Sequence, residues 1–532
     1  MKKIKLLSVI APVCLLSMVS LTGCGNGLGS ADTDKLDVNV ETRGTEIMMW
    51  TGFGDAVNKV LQPILDDFSA KTGITVKYET KGGYDNLQNA INLAASSKEY
   101  CNIAVGYPDH FAGYIQSNIQ LRLDGLIKND DQRVMAGKDE EGYDVDKDGI
   151  RKMNYEDFYA DYKIENESLE HKSDGTGHVL GLPFNKSSEV MVYNAGFFNW
   201  VKTQDDLKDK IFIPTTWDEV KSVGQEVIKF LNEKNVYGKA LYSNGQVYSG
   251  AEGDEAPVGA TIVFQGKDLA SADDFRFLSY DSTPNLFITL IRQFGGTYTE
   301  LDKNVNLKGY AAFNDKKYRE KTLEAMALMR DLGEKKILGI PATFNEKSYC
   351  SSPFKKYQSL LNIGSTGGLS NSIGSFAVSC TTIPQVAGSE NKYVISQGTN
   401  LALFNKGSDA EKVAAWKLMI YLSQQANGEF AAGTGYFPTC KAATESDAYQ
   451  AYLNNSFGAA EKLTQEAAII NTVKYGSNSW TRFVDPGFQG SSAIRAEATN
   501  IPVHVLFPEE GYMTDQQILD AAYVVLRDYV RK

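Results

Sequence analysis

Between Glu46 and Val105 the apolar residues change their spacing from segment to segment, and this alternation limits the possible folds more than any other feature of the chain. Glu46 to Trp50 is a short apolar run, broken by Thr51-Gly52-Phe53-Gly54. Val57, Val60, Leu61, Ile64, Leu65 and Phe68 then recur at the spacing of one helical face, ending at Gly73. Ile74, Val76 and Tyr78 alternate as a strand, Tyr84 to Ala95 is again helical, and Ile103 to Val105 supplies a third strand. Strand, helix, strand, helix, strand predicts an α/β fold with a parallel sheet wound by helices. Further on, Thr216 with Glu219, Ser408 with Glu411, and Thr514 with Gln517 have the spacing of capping boxes, so helices are expected near 217–233, 409–426 and 515–531. In the last of these, Ile518, Ala522, Val525, Leu526 and Tyr529 form an apolar stripe that should dock on the body. The chain has no internal repeat.

The first residues give an address. Lys2, Lys3 and Lys5 precede an apolar stretch from Leu6 to Leu21 that Pro12 and several serines interrupt, which fits an export signal better than a spanning helix. Leu21-Thr22-Gly23-Cys24 resembles the lipobox of bacterial lipoproteins, in which the cysteine is acylated and becomes the mature N-terminus; a plain secretory leader is the other reading. Removing residues 1 to 23 takes away three lysines and no acid, which moves the net charge from −12 to −15. With no clustered basic run, nucleic acid is excluded as a partner. Residues 24–44 are small and polar and read as a flexible tether. The mature length suits two to four compact domains. Cys101, Cys350, Cys380 and Cys440 lack zinc-ligand spacing; they allow three full pairings or stand as buried free thiols.

Asp144, Asp146 and Asp148 stand at positions 1, 3 and 5 of a loop with Gly149 at 6 and Ile150 at 7, the spacing by which an EF-hand loop wraps Ca²⁺. Position 12 is Tyr155, so a closing carboxylate would have to come from Glu156, Asp157 or elsewhere. A structural Ca²⁺ site and a solvated acidic loop both fit. Catalytic signatures are scarce: no HExxH, no Walker A run, no GxSxG elbow, and no dinucleotide fingerprint after the first strand. The four histidines, His110, His171, His178 and His504, suggest no metal triad, and His110 beside Asp109 is either a functional pair or a partly buried loop residue. Aromatics beside glycine in loops, Phe53, Tyr84, Tyr107, Tyr436 and Trp480, either pack in the core or offer rings on which the C–H faces of a sugar stack.

Several separated segments are similar to one family. Ile47 to Asp109, with Lys81-Gly82-Gly83-Tyr84 and Gly106-Tyr107-Pro108-Asp109, is followed by Leu182-Pro183-Phe184 leading to Tyr193-Asn194, then Thr216-Trp217-Asp218-Glu219 and Phe294-Gly295-Gly296. Gly364-Ser365-Thr366-Gly367-Gly368, Gln397-Gly398-Thr399-Asn400-Leu401 and Gly433-Thr434-Gly435-Tyr436-Phe437-Pro438 come later. In order and spacing they resemble the extracellular solute-binding proteins of sugar ABC importers, the group that includes maltose-binding and glycerol-3-phosphate-binding proteins. The resemblance implies a type II periplasmic-binding-protein-like fold: two α/β lobes, 45–181 plus 345–396 and 182–344 plus 397–532, joined by hinge crossings near 182–193, 344–364 and 396–404. It implies a lipid-anchored monomer on the outer face of the cytoplasmic membrane that needs no cofactor, breaks no bond, and hands a sugar or oligosaccharide to a permease. A glycerol-phosphate or glycerophosphodiester is the alternative ligand, with Arg482 and the Ser365 loop as its phosphate partners, and a carbohydrate-active surface enzyme is a third reading. Ligand contacts are expected from Phe53, Tyr84, Tyr107, Asp109, Ser187, Ser188, Ser365, Thr366, Gly435, Tyr436, Trp480 and Arg482.

Overall fold

The structure, a computed structural model, describes residues 31–250, 257–302, 304–389, 391–455, 458–508 and 513–531. Cys24 and its leader lie outside them.

The opening alternation folds as its spacing predicts. Strand Glu46–Thr51 pairs in parallel with Thr75–Thr80 on one side and with Ile103–Gly106 on the other. Helix Asp55–Thr72 buries Leu61, Ile64, Leu65 and Phe68 against that sheet, and helix Tyr84–Ala94 buries Leu87 and Ile91. All three capping boxes form, opening helices Trp217–Lys234, Asp409–Ile420 and Asp515–Val525. The second is shorter than expected because Tyr421–Gln425 winds as a π-helix. The last docks through Ile518, Leu519, Ala522 and Leu526, while Val525 faces solvent.

Two strands thread the whole molecule. Leu182–Asn194 and Lys392–Leu403 run antiparallel to each other. One end of each belongs to a first lobe, where Asn400–Leu403 pairs with Ile103–Gly106. The other end belongs to a second lobe, where Glu189–Tyr193 pairs with Leu361–Ser365 and Lys392–Ile395 with Trp480–Phe483. At the midpoint the register shifts between Thr399 and Asn400, a bulge that bends both strands where the lobes meet. Gly398 there has φ +92°, and a Cβ on it would lie 1.9 Å from the Asn185 carbonyl oxygen, so only glycine fits.

Two separate cores follow from this threading. One joins residues between Leu36 and Phe184 to Leu401–Ala443; the other joins Val190–Ile395 to Leu463–Leu526. The lobe boundaries therefore differ from those expected. Residues 345–396 belong to the second lobe, because Leu361–Ser365 hydrogen-bonds along the second-lobe half of the first crossing strand and Phe354, Tyr357 and Ile363 pack there. Residues 401–443 belong to the first, through Trp416, Leu418 and Phe430. The expected crossing near 344–364 is absent; the chain passes from one core to the other between Ala443 and Leu463 instead.

The N-terminal segment also departs from expectation. From Ala31 to Gly44 it is laid on the first lobe, with Thr33, Leu36, Val38 and Thr42 buried. Ala31 bridges to Leu121, Arg122 pairs with Asp32 at 2.9 Å, and Asn129 donates to the Asp34 and Leu36 carbonyls. Short polar composition concealed a segment whose few apolar residues fit existing grooves.

Candidate functional site

The acidic loop is satisfied from within. Asp146 pairs with Arg133 at 2.9 Å and with Lys417 at 3.1 Å; Asp148 pairs with Lys417 at 2.9 Å and Arg43 at 3.2 Å. The Lys417 ammonium thus stands between two of the carboxylates that a cation would bring together. Asp144 turns out to Lys138, the Ile150 carbonyl accepts from the Asp146 N–H, and Glu156 reaches Lys163. Burial pushes the Asp146 carboxyl up, but Lys417, the Ile150 N–H and Arg133 outweigh it and hold it below the usual range. Among the described residues no group of three or more metal-ligating side chains is arranged to hold an ion. The four cysteines are buried and unpaired.

A cavity of about 570 Å³ lies between the lobes. The first lobe lines it where its parallel strands end, since strands Thr75–Thr80 and Ile103–Gly106 each give way there to a helix. Tyr84 and Asp85 open one helix, and Tyr107, Pro108 and Asp109 open the next. The Tyr84 and Tyr107 rings meet edge to face at 5.2 Å, and His110 abuts Tyr107 at 5.6 Å, forming an aromatic wall. The second lobe faces it with Asn285, Tyr298, Thr299, Asp485 and Arg495, and the hinge contributes Ser396 and Gln397.

Polar atoms without a partner gather on this cavity. His110 Nδ1, Tyr298 Oη, Thr299 Oγ1, Gln397 Oε1 and both carboxylate oxygens of Asp485 are shielded from solvent and make no hydrogen bond. Buried polar atoms are nearly always paired, so their convergence on one hollow makes it the candidate binding site. Burial pushes Asp485 up to about 6, against the pull of Arg292 and Arg495. Behind the wall, Glu189 on the crossing strand accepts from Asn285 Nδ2 at 2.8 Å and from Tyr280, and Arg495 donates to Asn285 Oδ1 at 2.7 Å. Burial drives Glu189 up to about 7, although Tyr280 and Asn285 oppose it.

The lobes touch around the cavity. Ser492 donates to Asp109 Oδ2 at 3.1 Å, and Arg482 pairs with Asp161 at 2.8 Å. Loop residue Leu307 lies on the first-lobe core, its N–H on the Leu169 carbonyl. Gly487 lies against Pro108, where a Cβ would come within 2.3 Å of the Pro108 carbonyl carbon. A wider hollow of about 1230 Å³ near His171, Glu300 and Arg531 is a poorer candidate, because Arg531 pairs with Glu300 and Tyr310 donates to Asp302, leaving its charges spent on one another.

Of the residues expected to bind, Tyr84, Tyr107 and Asp109 line the cavity. Phe53 lies one layer behind, edge-on to Tyr84 at 6.3 Å, and Tyr436 stacks on Phe430 at 5.9 Å beside Gly435. Ser187, Ser188, Ser365 and Thr366 tie the hinge: Ser365 donates to Ser187 at 3.1 Å, and the Ser188 N–H reaches Thr366 Oγ1 at 3.4 Å. Trp480 packs on Tyr475 outside the cavity, and Arg482 joins the lobes instead of facing it. Asn285, Tyr298, Asp485 and Arg495 went unread, each a single residue in no motif brought in by the second lobe, and Gln397 stood in a recognised segment without being expected to face the cavity.

The family model described as bacterial extracellular solute-binding protein matches residues 64–456. The chain belongs to this family. Solute-binding proteins of known structure share its fold at low identity. The GacH receptor of Streptomyces glaucescens, solved unliganded and with acarbose, is 13% identical with a TM-score of 0.60, covering 91% of this chain and 99% of that one. UgpB from Mycobacterium tuberculosis, in complex with glycerophosphocholine, is 15% identical with a TM-score of 0.62 and the same coverage. The maltose/maltodextrin-binding domain MalE from Bdellovibrio bacteriovorus, bound to maltotriose, is 17% identical with a TM-score of 0.58, again covering 91% and 99%. No curated protein sequence matches this solute-binding protein. No helix among the described residues is long and apolar enough to cross a membrane.

Proposed function

We propose that this protein captures a neutral sugar or polyol between its lobes and delivers it, unchanged, to the permease of an ABC importer. The observation that carries this reading is the set of unpaired polar atoms, from both lobes and the hinge, around a cavity walled by Tyr84, Tyr107 and Tyr298. Tyrosine faces suit the C–H surface of a sugar, and acceptors such as Asp485 and Gln397 suit its hydroxyls. A ligand touching both lobes favours their approach; about 5.5 kcal/mol of differential binding turns a 1:99 population into 99:1. Relatives in complex with acarbose and maltotriose support the ligand class. A glycerophosphodiester is the second reading, favoured by Arg495 in the cleft and by the glycerophosphocholine complex of UgpB. Asp85, Asp109 and Asp485 outnumber that arginine among the lining residues, which supports the neutral ligand.

Thermal-shift titration of the mature protein with maltotriose, ribitol and glycerophosphocholine separates the two readings. A ligand at about 100 times its dissociation constant adds about 2.7 kcal/mol of stability. A shift with glycerophosphocholine alone replaces the sugar reading, and cleavage of a glycan would overturn the transport role. We further propose that Cys24 carries lipid and holds a monomer at the outer face of the cytoplasmic membrane; replacing it with serine should release the protein into the medium.

A further inference from the structure

Asp485 is unlike the other carboxylates of the cleft. Asp109 accepts from Ser492, and Glu189 from Tyr280 and Asn285, but neither oxygen of Asp485 meets a donor. Both oxygens are shielded from solvent, and no cation lies within ion-pair distance among the described residues. Arg292 and Arg495 act on it only from farther away, and Arg495 is turned to Asn285. Its place is fixed by the chain: it follows strand Trp480–Phe483 and precedes Pro486-Gly487, whose glycine is wedged on Pro108 of the opposite lobe. A carboxylate in this setting is costly unless something supplies donors. Around it, Tyr298 Oη and Thr299 Oγ1 are unpaired as well.

We propose that Asp485 is the specificity-determining acceptor of the cleft, taking two hydrogen bonds from adjacent hydroxyls of a neutral, polyhydroxylated ligand and turning away ligands that present an anion there. This rests on the carbohydrate reading of the site and narrows it. An ionised carboxylate has acceptors only, so a vicinal diol gives it two donors at once, whereas a phosphate or uronate brings a like charge into a water-poor space. The free protein bears the cost of that unpaired charge, and the ligand removes it.

The test compares wild type with Asp485→Asn. Without ligand, the amide variant should melt several degrees higher at neutral pH, because an isolated charge has been removed; a residue serving structure alone would lower the melting point when changed. With maltotriose and ribitol as probes, the variant should bind at least about tenfold more weakly than wild type. A variant that is less stable than wild type, or that binds these probes equally well, overturns the assignment of Asp485 and leaves the carbohydrate reading standing. If neither probe shifts wild type, the carbohydrate reading fails and this inference falls with it.

Discussion

At the scale of single residues, the chemistry concentrates in charges that burial makes expensive. Lys186 is wholly buried on the first crossing strand, its ammonium on Glu165 and its ring neighbour Tyr162 at 5.7 Å. Burial lowers the lysine and raises the glutamate, each moving toward its neutral form. Lys186→Met should therefore leave Glu165 unpaired and cost about 3–5 kcal/mol in urea denaturation, while adding Glu165→Leu should recover most of the loss. Glu189 and Asp485 set a pH dependence of opposite sign to the usual acid case. Their folded values, about 7 and about 6, lie above the ordinary carboxyl values of 4.5 and 3.8, so the folded state holds more protons in that window. Their contribution to stability is full below about pH 4 and is lost as pH rises through 6 to 7. Melting temperature should fall between pH 5 and 8, and Glu189→Gln together with Asp485→Asn should flatten that fall. Arg292 and Arg495 face Asp485 and moderate the effect. The aromatic wall was legible because Tyr84 and Tyr107 stand where a strand gives way to a helix, at the ends of parallel strands where ligands gather. Asp485 was not, because an aspartate before Pro-Gly reads as an ordinary turn and only the opposite lobe makes it a buried acceptor.

At the scale of elements, periodicity and caps carried the reading, and pairing partners did not. Thr216 accepts from the Glu219 N–H at 3.2 Å, and Glu219 in return accepts from the Thr216 N–H at 3.1 Å. Thr216→Ala should cost about 1 kcal/mol by denaturant midpoint, with no change in ligand affinity, since the helix lies away from the cleft. Such signals are local, a few residues apart, and survive in any sequence that forms them. Lobe membership is decided instead by hydrogen bonds between residues far apart, such as Leu361 with Tyr193 or Asn400 with Gly106. Each crossing strand is apolar toward its ends and polar through its middle, at 185–189 and 396–400, and nothing local says which core each apolar end joins. The acidic loop shows the same limit: Asp144, Asp146 and Asp148 have the spacing of a calcium loop, but the ammonium between Asp146 and Asp148 is that of Lys417, 269 residues from Asp148.

At the scale of the molecule, the lobes meet around the cavity through a seam of contacts such as Ser492 with Asp109 and Gly487 with Pro108. Gly487→Ala would drive a methyl group into Pro108 and should hold the lobes apart, leaving small-angle scattering of the ligand-saturated variant as extended as that of the free protein. Arg482→Ala should loosen the same seam without blocking it, weakening affinity modestly, because a partly exposed ion pair contributes about 1 kcal/mol or less. The segment from Ala31 to Gly44, fastened along the first lobe, has a bearing on the membrane as well. With lipid at Cys24, as proposed, six residues separate the anchored cysteine from Ala31, and even fully stretched they reach only about 25 Å. The first lobe is then berthed close to the headgroups on a short leash, and the half free to swing is the one carrying Asp485.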